Sequence, residues 1–174
     1  WRKACDVCPE TASEGLYADG ASFIGKELKK VEDEDPRKAV LVDSLLHLHD
    51  KRMELYPSTK RSPNNRCVVL GRKATDFYKY NRDQHQAAYE MFKESIDCLK
   101  EESSATTLYQ YYTASFYTMK RELKGDTVAQ ANMRAQMLTD YLALTDYVKA
   151  GIKRAKEKGK ERDIQRYEKA KGNI

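Results

Sequence analysis

Apolar residues recur at three- and four-residue intervals along almost the whole chain, the spacing that lines one face of an α-helix. The clearest case lies between two prolines. Asp35-Pro36 reads as an N-cap followed by proline at the first helical position, and Pro57 ends the segment. Between them Ala39, Val42, Leu46, His49, Met53 and Tyr56 share a face, and Leu41, Leu45, Leu48 and Leu55 widen it enough to need cover on two sides. Upstream, Ser13 to about Lys30 predicts a helix facing inward through Leu16, Gly20, Phe23, Ile24 and Leu28. The polar stretch 57–67 predicts a loop. A helix over Val68–Tyr80 follows, carrying Leu70, Ala74, Phe77 and Tyr78. The turn Asn81-Arg82-Asp83 leads to a helix over Gln84–Glu101 with Ala88, Phe92, Ile96 and Leu99 inward. Ser103-Ser104 offers the next N-cap, for a helix to about Lys124 using Leu108, Tyr112, Phe116, Met119 and Leu123. Gly125-Asp126 pairs a helix stop with a cap. From Thr127 a stripe of Met137, Tyr141, Leu144, Val148, Ile152 and Ala155 runs on to Gly159, weakened but not ended at Gly151. A short helix over Lys160–Lys169 closes the chain. No run alternates with a period of two. The expectation is an all-α chain of about seven helices in successive antiparallel hairpins.

Composition narrows this little, but charge sharpens it. The 174 residues suit one domain or a short repeat array, and 40% apolar content is low yet adequate for a core. No stretch reaches the ~18 uninterrupted apolar residues of a membrane span. The net charge of +5 is unevenly spread. Lys149–Lys171 holds ten basic and four acidic residues, while residues 1–148 hold 22 basic and 23 acidic. A general basic surface for nucleic acid is thereby excluded, and a basic tail remains. The sequence starts at Trp1 with no leader of its own, so a longer natural chain is expected.

Helical hairpins at these intervals prompt comparison with repeat families. Ala88, Phe92 and Ser95 match the small–aromatic–small spacing of the second helix of a tetratricopeptide repeat. Leu70-Gly71 resembles the Leu-Gly pair of a first helix, though its distance to Ala88 exceeds the strict 34-residue frame. TTLYQYYTASFY would open a further repeat with Tyr and Thr in place of Gly. In order, the blocks WRKACDVCPETASEGLYADGASF, AVLVDSLLHLHDKRMELYP and VVLGRKATDFYKY resemble divergent tetratricopeptide-repeat proteins of the Bacteroidetes type. The matching positions include the Tyr-x-Asp-Gly block, then Leu45, Leu46, Asp50 and Arg52, then Leu70 to Lys73. The resemblance implies an α-α superhelix of stacked hairpins, no enzymatic centre, an upstream repeat and export to the cell envelope. Residues 1–174 would form a single repeat domain, with 126–174 a capping hairpin.

Candidate chemistry is sparse. Cys5-x-x-Cys8 invites zinc or redox readings, but Cys67 and Cys98 form no second closely spaced pair, so ordinary cysteines or a disulfide are the expectation. His47 and His49 point about 200° apart on one helix and cannot share a metal. His49 reads as a core histidine and His85 as exposed. As nucleophile, Cys67 or Cys98 would need a histidine base that nothing local supplies. Glu32-Asp33-Glu34-Asp35 reads as an acidic helix entry rather than a cation loop. No cofactor or metal is expected.

The tyrosines, twelve in all, either line a binding surface or replace phenylalanine at hairpin seams. The functional expectation is a non-catalytic scaffold that binds a protein or peptide in a groove between hairpins. Its candidate lining is Arg72, Asp76, Lys79, Tyr109, Tyr111 and Thr113. The alternative is a polyanion binder acting through the tail residues Lys153, Arg154, Lys156, Lys158, Lys160 and Arg162, although no nucleic-acid motif accompanies them. A solvated, salt-bridge-laced terminal helix is the third reading of the tail.

Overall fold

The computed structural model describes residues 12–174, and among them it is all-α, with no strand and seven α-helices. They are α1 (Glu14–Glu27), α2 (Arg37–Leu55), α3 (Asn65–Tyr80), α4 (His85–Leu99), α5 (Ala105–Tyr117), α6 (Thr127–Glu157) and α7 (Glu161–Asn173). A 3-10 turn, Lys100–Glu102, follows α4, and a π-turn, Thr118–Glu122, follows α5. No described helix is long and apolar enough to cross a membrane. The helices gather into two compact units, one ending at Tyr80 and one running from Asn81 to Ile174.

In the first unit α2 packs on both α1 and α3. Tyr17, Ile24 and Leu28 of α1 and its C-terminal turn meet Leu45 and Leu48 of α2 in the apolar core. The face of α2 is rotated from its expected position. Leu45, Leu48, His49 and Arg52 are buried, whereas Ala39 is exposed and Leu46 and Met53 are half-buried. The reason is Arg52: its aliphatic stem lies inside while its guanidinium finds a carboxylate, so a charged residue takes a core position. Phe23, expected inward on α1, is 51% exposed, because Tyr17, Gly20 and Ile24 already fill that face. Helix α2 begins one residue later than expected, with Pro36 rather than Asp35 at its N-cap, and Asp35 just before it accepts from the Arg37 amide at 2.8 Å. Its carboxyl is held below the ordinary value, chiefly by hydrogen bonds from the Arg37 side chain. Lys38 pairs with Asp33, so the acidic run serves the helix entry.

The second unit places α5 in contact with α4, α6 and α7. Cross-helix pairs show the antiparallel sense. His85 stacks on Tyr117 and Tyr89 on Tyr111, so a step forward along α4 is a step back along α5. His85, expected exposed, is buried by that stacking, with centroids 5.2 Å apart. Ala88, Phe92 and Ser95 are fully buried, as are Leu108 and Ala114 opposite. Small residues flanking Phe92 let the helices approach, and burying that ring contributes roughly 2–3 kcal/mol.

Caps set the boundaries. Ser104 accepts from the Thr107 amide at 3.1 Å, and Asp126 from the Ala129 amide at 2.9 Å after Gly125 turns the chain at φ +97°. Helix α5 stops short of its expected end at Lys124. The Leu123 amide bonds to Thr118 O, five residues back, and the wider turn carries Glu122 to the Gln86 amide at the start of α4. The terminal helix is anchored rather than merely solvated. Tyr167 and Ala170 of α7 are buried, and Tyr167 Oη donates to Ser103 O at 2.7 Å.

Candidate functional site

Each unit carries one built polar feature, and the second also carries an exposed apolar surface. In the first unit, Glu14 sits where α1 begins and accepts from Arg52 Nη2 at 2.7 Å and from Asn65 Nδ2 at 2.9 Å. The same Asn65 group donates to Tyr56 O at 2.8 Å, tying the start of α3 to the end of α2. The Glu14 carboxyl is held below its ordinary value, first by the Arg52 hydrogen bond. Near it, burial and then the Arg52 charge push the Arg72 guanidinium down, although Arg72 keeps accessible surface. Asp50 accepts from Lys73 at 2.6 Å, and Asp76 accepts from His49 Nε2 at 2.9 Å. His49 is therefore the expected core histidine, while His47 is exposed. Asp76 is half-buried and occupied by that contact, and Lys79 donates to its neighbour Tyr80 Oη at 2.9 Å. This arrangement braces α2 against its neighbours.

Tyr109 and Tyr111, named together from the sequence, part company. Tyr109 is exposed, with Thr113 half-buried beside it and donating back to Tyr109 O at 3.0 Å. Tyr111 is buried. Its hydroxyl donates to Asp140 at 2.5 Å and its ring stacks on Tyr89, so it joins helices rather than lining a groove. Burial, then the Asp140 carboxylate, pushes its phenol well above the ordinary range.

What accompanies Tyr109 is a surface the sequence reading missed. Tyr109, Tyr112 and Phe116 share one face of α5 by their three- and four-residue steps, and Phe116, expected inward, is 40% exposed. The Tyr112 ring contacts Tyr141 of α6, with centroids 6.5 Å apart. Beyond Tyr141, also expected inward but exposed, stand Leu138 and Leu142 at 72% and 67% exposed, with Val128 further along. The helix α6 thus bears two apolar stripes. Met137, Leu144, Val148, Gly151 and Ala155 face the core, and Val128, Ala131, Ala135, Leu138 and Leu142 step 3-4-3-4 on another face. That second periodicity was present in the sequence and was the signal for this surface.

The basic tail divides in the same way. Arg154, Lys158 and Lys160 line a cavity of about 260 Å³ with Arg166, while Lys153, Lys156 and Arg162 lie outside its lining. Arg154 donates to Glu101 O at 2.7 Å, and Arg166 pairs with Asp163 at 3.2 Å. Cys67 and Cys98 each enter a disulfide, so neither is a thiol nucleophile. Cys5 and Cys8 lie outside the described residues. Among the described residues no group of three or more His, Cys, Asp or Glu side chains could hold a metal ion. Comparisons with protein-family models, with curated proteins and with solved structures return no match to this chain.

Proposed function

We propose that this chain is a non-catalytic, tetratricopeptide-like helical scaffold that works by binding a protein or peptide partner. The observation that carries the reading is the exposed apolar surface of the second unit, from Tyr109 and Phe116 of α5 through Tyr141 to Leu138 and Leu142 of α6. Contiguous apolar surface of this kind is costly to leave in water and marks a docking face. Exposed tyrosine and phenylalanine at its centre supply large contact area at small entropic cost. The repeat-like reading is supported by fully buried Ala88, Phe92 and Ser95 at the α4–α5 seam. Disulfide bonding of Cys67 and Cys98 supports an oxidising compartment, consistent with export.

A displayed library of helical and extended peptides, selected against the whole chain, tests this. Binders should be lost with Tyr109→Ala plus Leu138→Glu and retained with the distant Lys153→Gln plus Lys156→Gln. A library that gives no saturable binder, or binders indifferent to the first pair, overturns the proposal.

A further inference from the structure

The cavity of the second unit lies where the start of α5 meets the α6–α7 connection, and its walls are fixed by packing. Tyr167 lies directly on Gly151, where even a Cβ would come within 2.4 Å of the ring. Its hydroxyl reaches Ser103 O, one residue before the α5 cap. Arg154 is fastened to Glu101 O. Wall and floor are therefore set before anything binds.

Four cationic side chains line this space, Arg154, Lys158, Lys160 and Arg166, against two carboxylates, Glu102 and Asp163, leaving a net lining charge of +2. Asp163 is matched to Arg166. Lys158 and Lys160 have no ion-pair partner among the described residues. Ala105 and Thr106 also line the cavity, and as the first residues of α5 their amides have no intrahelical acceptor. Ser104 caps only the Thr107 amide. Lys158 and Lys160, both exposed, and the first two residues of a positive helix end thus border one small space.

We infer that this cavity binds a small phosphorylated compound, its phosphate group held between Lys158, Lys160 and the Ala105 and Thr106 amides. A phosphomonoester carries about −1.5 to −2 charges at neutral pH, which matches the lining, and its oxygens accept from ammonium and amide donors together. A carboxylate would leave about one positive charge unmatched. The volume, about 260 Å³, lies just below the ~300 Å³ at which drug-sized pockets begin, so the compound is small. A polyanion would instead engage Lys153, Lys156 and Arg162 as well, and would not depend on this lining. This inference is independent of the protein-binding surface, from which it shares no residue.

Calorimetric titration of the whole chain with inorganic phosphate and with glycerol 3-phosphate, at fixed low salt, tests it. Saturable binding is expected, with the Ala105 and Thr106 amide resonances shifting along the titration. Lys158→Gln plus Lys160→Gln should weaken it about tenfold, the loss of two charge-assisted contacts in a partly hydrated site. Lys153→Gln plus Lys156→Gln removes the same charge outside the lining and should change affinity by less than about twofold. Equal losses in the two variants, no saturation with either probe up to about 20 mM, or short duplex DNA binding with the same dependence on both pairs would each overturn it.

Discussion

Gly151 and Tyr167 fit each other with no space for a side chain between them: a Cβ on residue 151 would stand 2.4 Å from Tyr167 Cε1 and 2.5 Å from Cζ. Helix propensity alone argues that alanine at an interior helical position is better than glycine by about 1 kcal/mol. Here overpacking opposes it, at about 1–3 kcal/mol, because the ring is held by its hydroxyl bond to Ser103 O and cannot swing away freely. Gly151→Ala should therefore destabilise the second unit by up to about 2 kcal/mol in urea denaturation. In a Tyr167→Ala background the same change should become neutral or stabilising, as coupled neighbours do. An alanine variant more stable than the parent would show that the fit is loose.

The Glu14–Arg52–Asn65 cluster makes a pH-dependent contribution. Folding lowers the Glu14 pKa below the ordinary 4.5, so the stabilisation is present above that value and is lost as the pH falls through the lower folded value. Stability of the first unit should decline as the pH falls below that value, and Glu14→Gln should make that decline shallower than in the parent. Other carboxylates titrate in both proteins, so the difference between the two curves isolates Glu14. Arg52→Leu should cost about 2–3 kcal/mol at neutral pH, since it strands a partly buried carboxylate. Parallel pH profiles for parent and Glu14→Gln would refute the assignment.

Much of the fold was legible because its signals are local. Caps at Ser104 and Asp126 and the stop at Gly125 act within one turn, and each is where the sequence placed it. The apolar positions expected inward on α4, Ala88, Phe92, Ile96 and Leu99, are all buried. What failed depends on partners distant in sequence. Arg52 occupies a core position only because Glu14, thirty-eight residues earlier, waits for it. Tyr111 turns inward because Asp140 and Tyr89 meet it, while its neighbour Tyr109 stays outside. The cavity was half visible: the excess of lysine and arginine marked the segment, but only the return of α7 onto Gly151 separates Lys158 and Lys160 from Lys153 and Lys156.

The same division makes the two tyrosines separable by experiment. Tyr111→Phe removes a hydroxyl that donates to Asp140 from a buried position. It should cost about 1–2 kcal/mol of stability without exposing new surface. Tyr109→Ala, at an exposed site, should change stability by less than about 0.5 kcal/mol. Partner binding, if it uses this face, should respond in the opposite order. Urea midpoints and peptide affinities measured on both variants check this, and a large stability loss at Tyr109 would place that ring inside.

Removing the basic tail is not a neutral way to remove charge. Truncation before residue 153 deletes the end of α6 and all of α7, with Ala155, Tyr167 and Ala170 buried among them. It also deletes the Tyr167 bond to Ser103 O and the Arg154 bond to Glu101 O, which hold the α4–α5 connection. Loss of one buried aromatic of this size costs about 3–5 kcal/mol, a large share of the 5–15 kcal/mol that stabilises an ordinary domain. The truncated chain should lose its cooperative thermal transition in the second unit and expose its hydrophobic surface to a fluorescent dye. Changing Lys153, Lys156 and Arg162 to glutamine in the full chain removes three charges from exposed positions and should leave the melting temperature within about 2 °C. A truncated chain that melts as sharply as the parent would show that α7 is an appendage rather than part of the core.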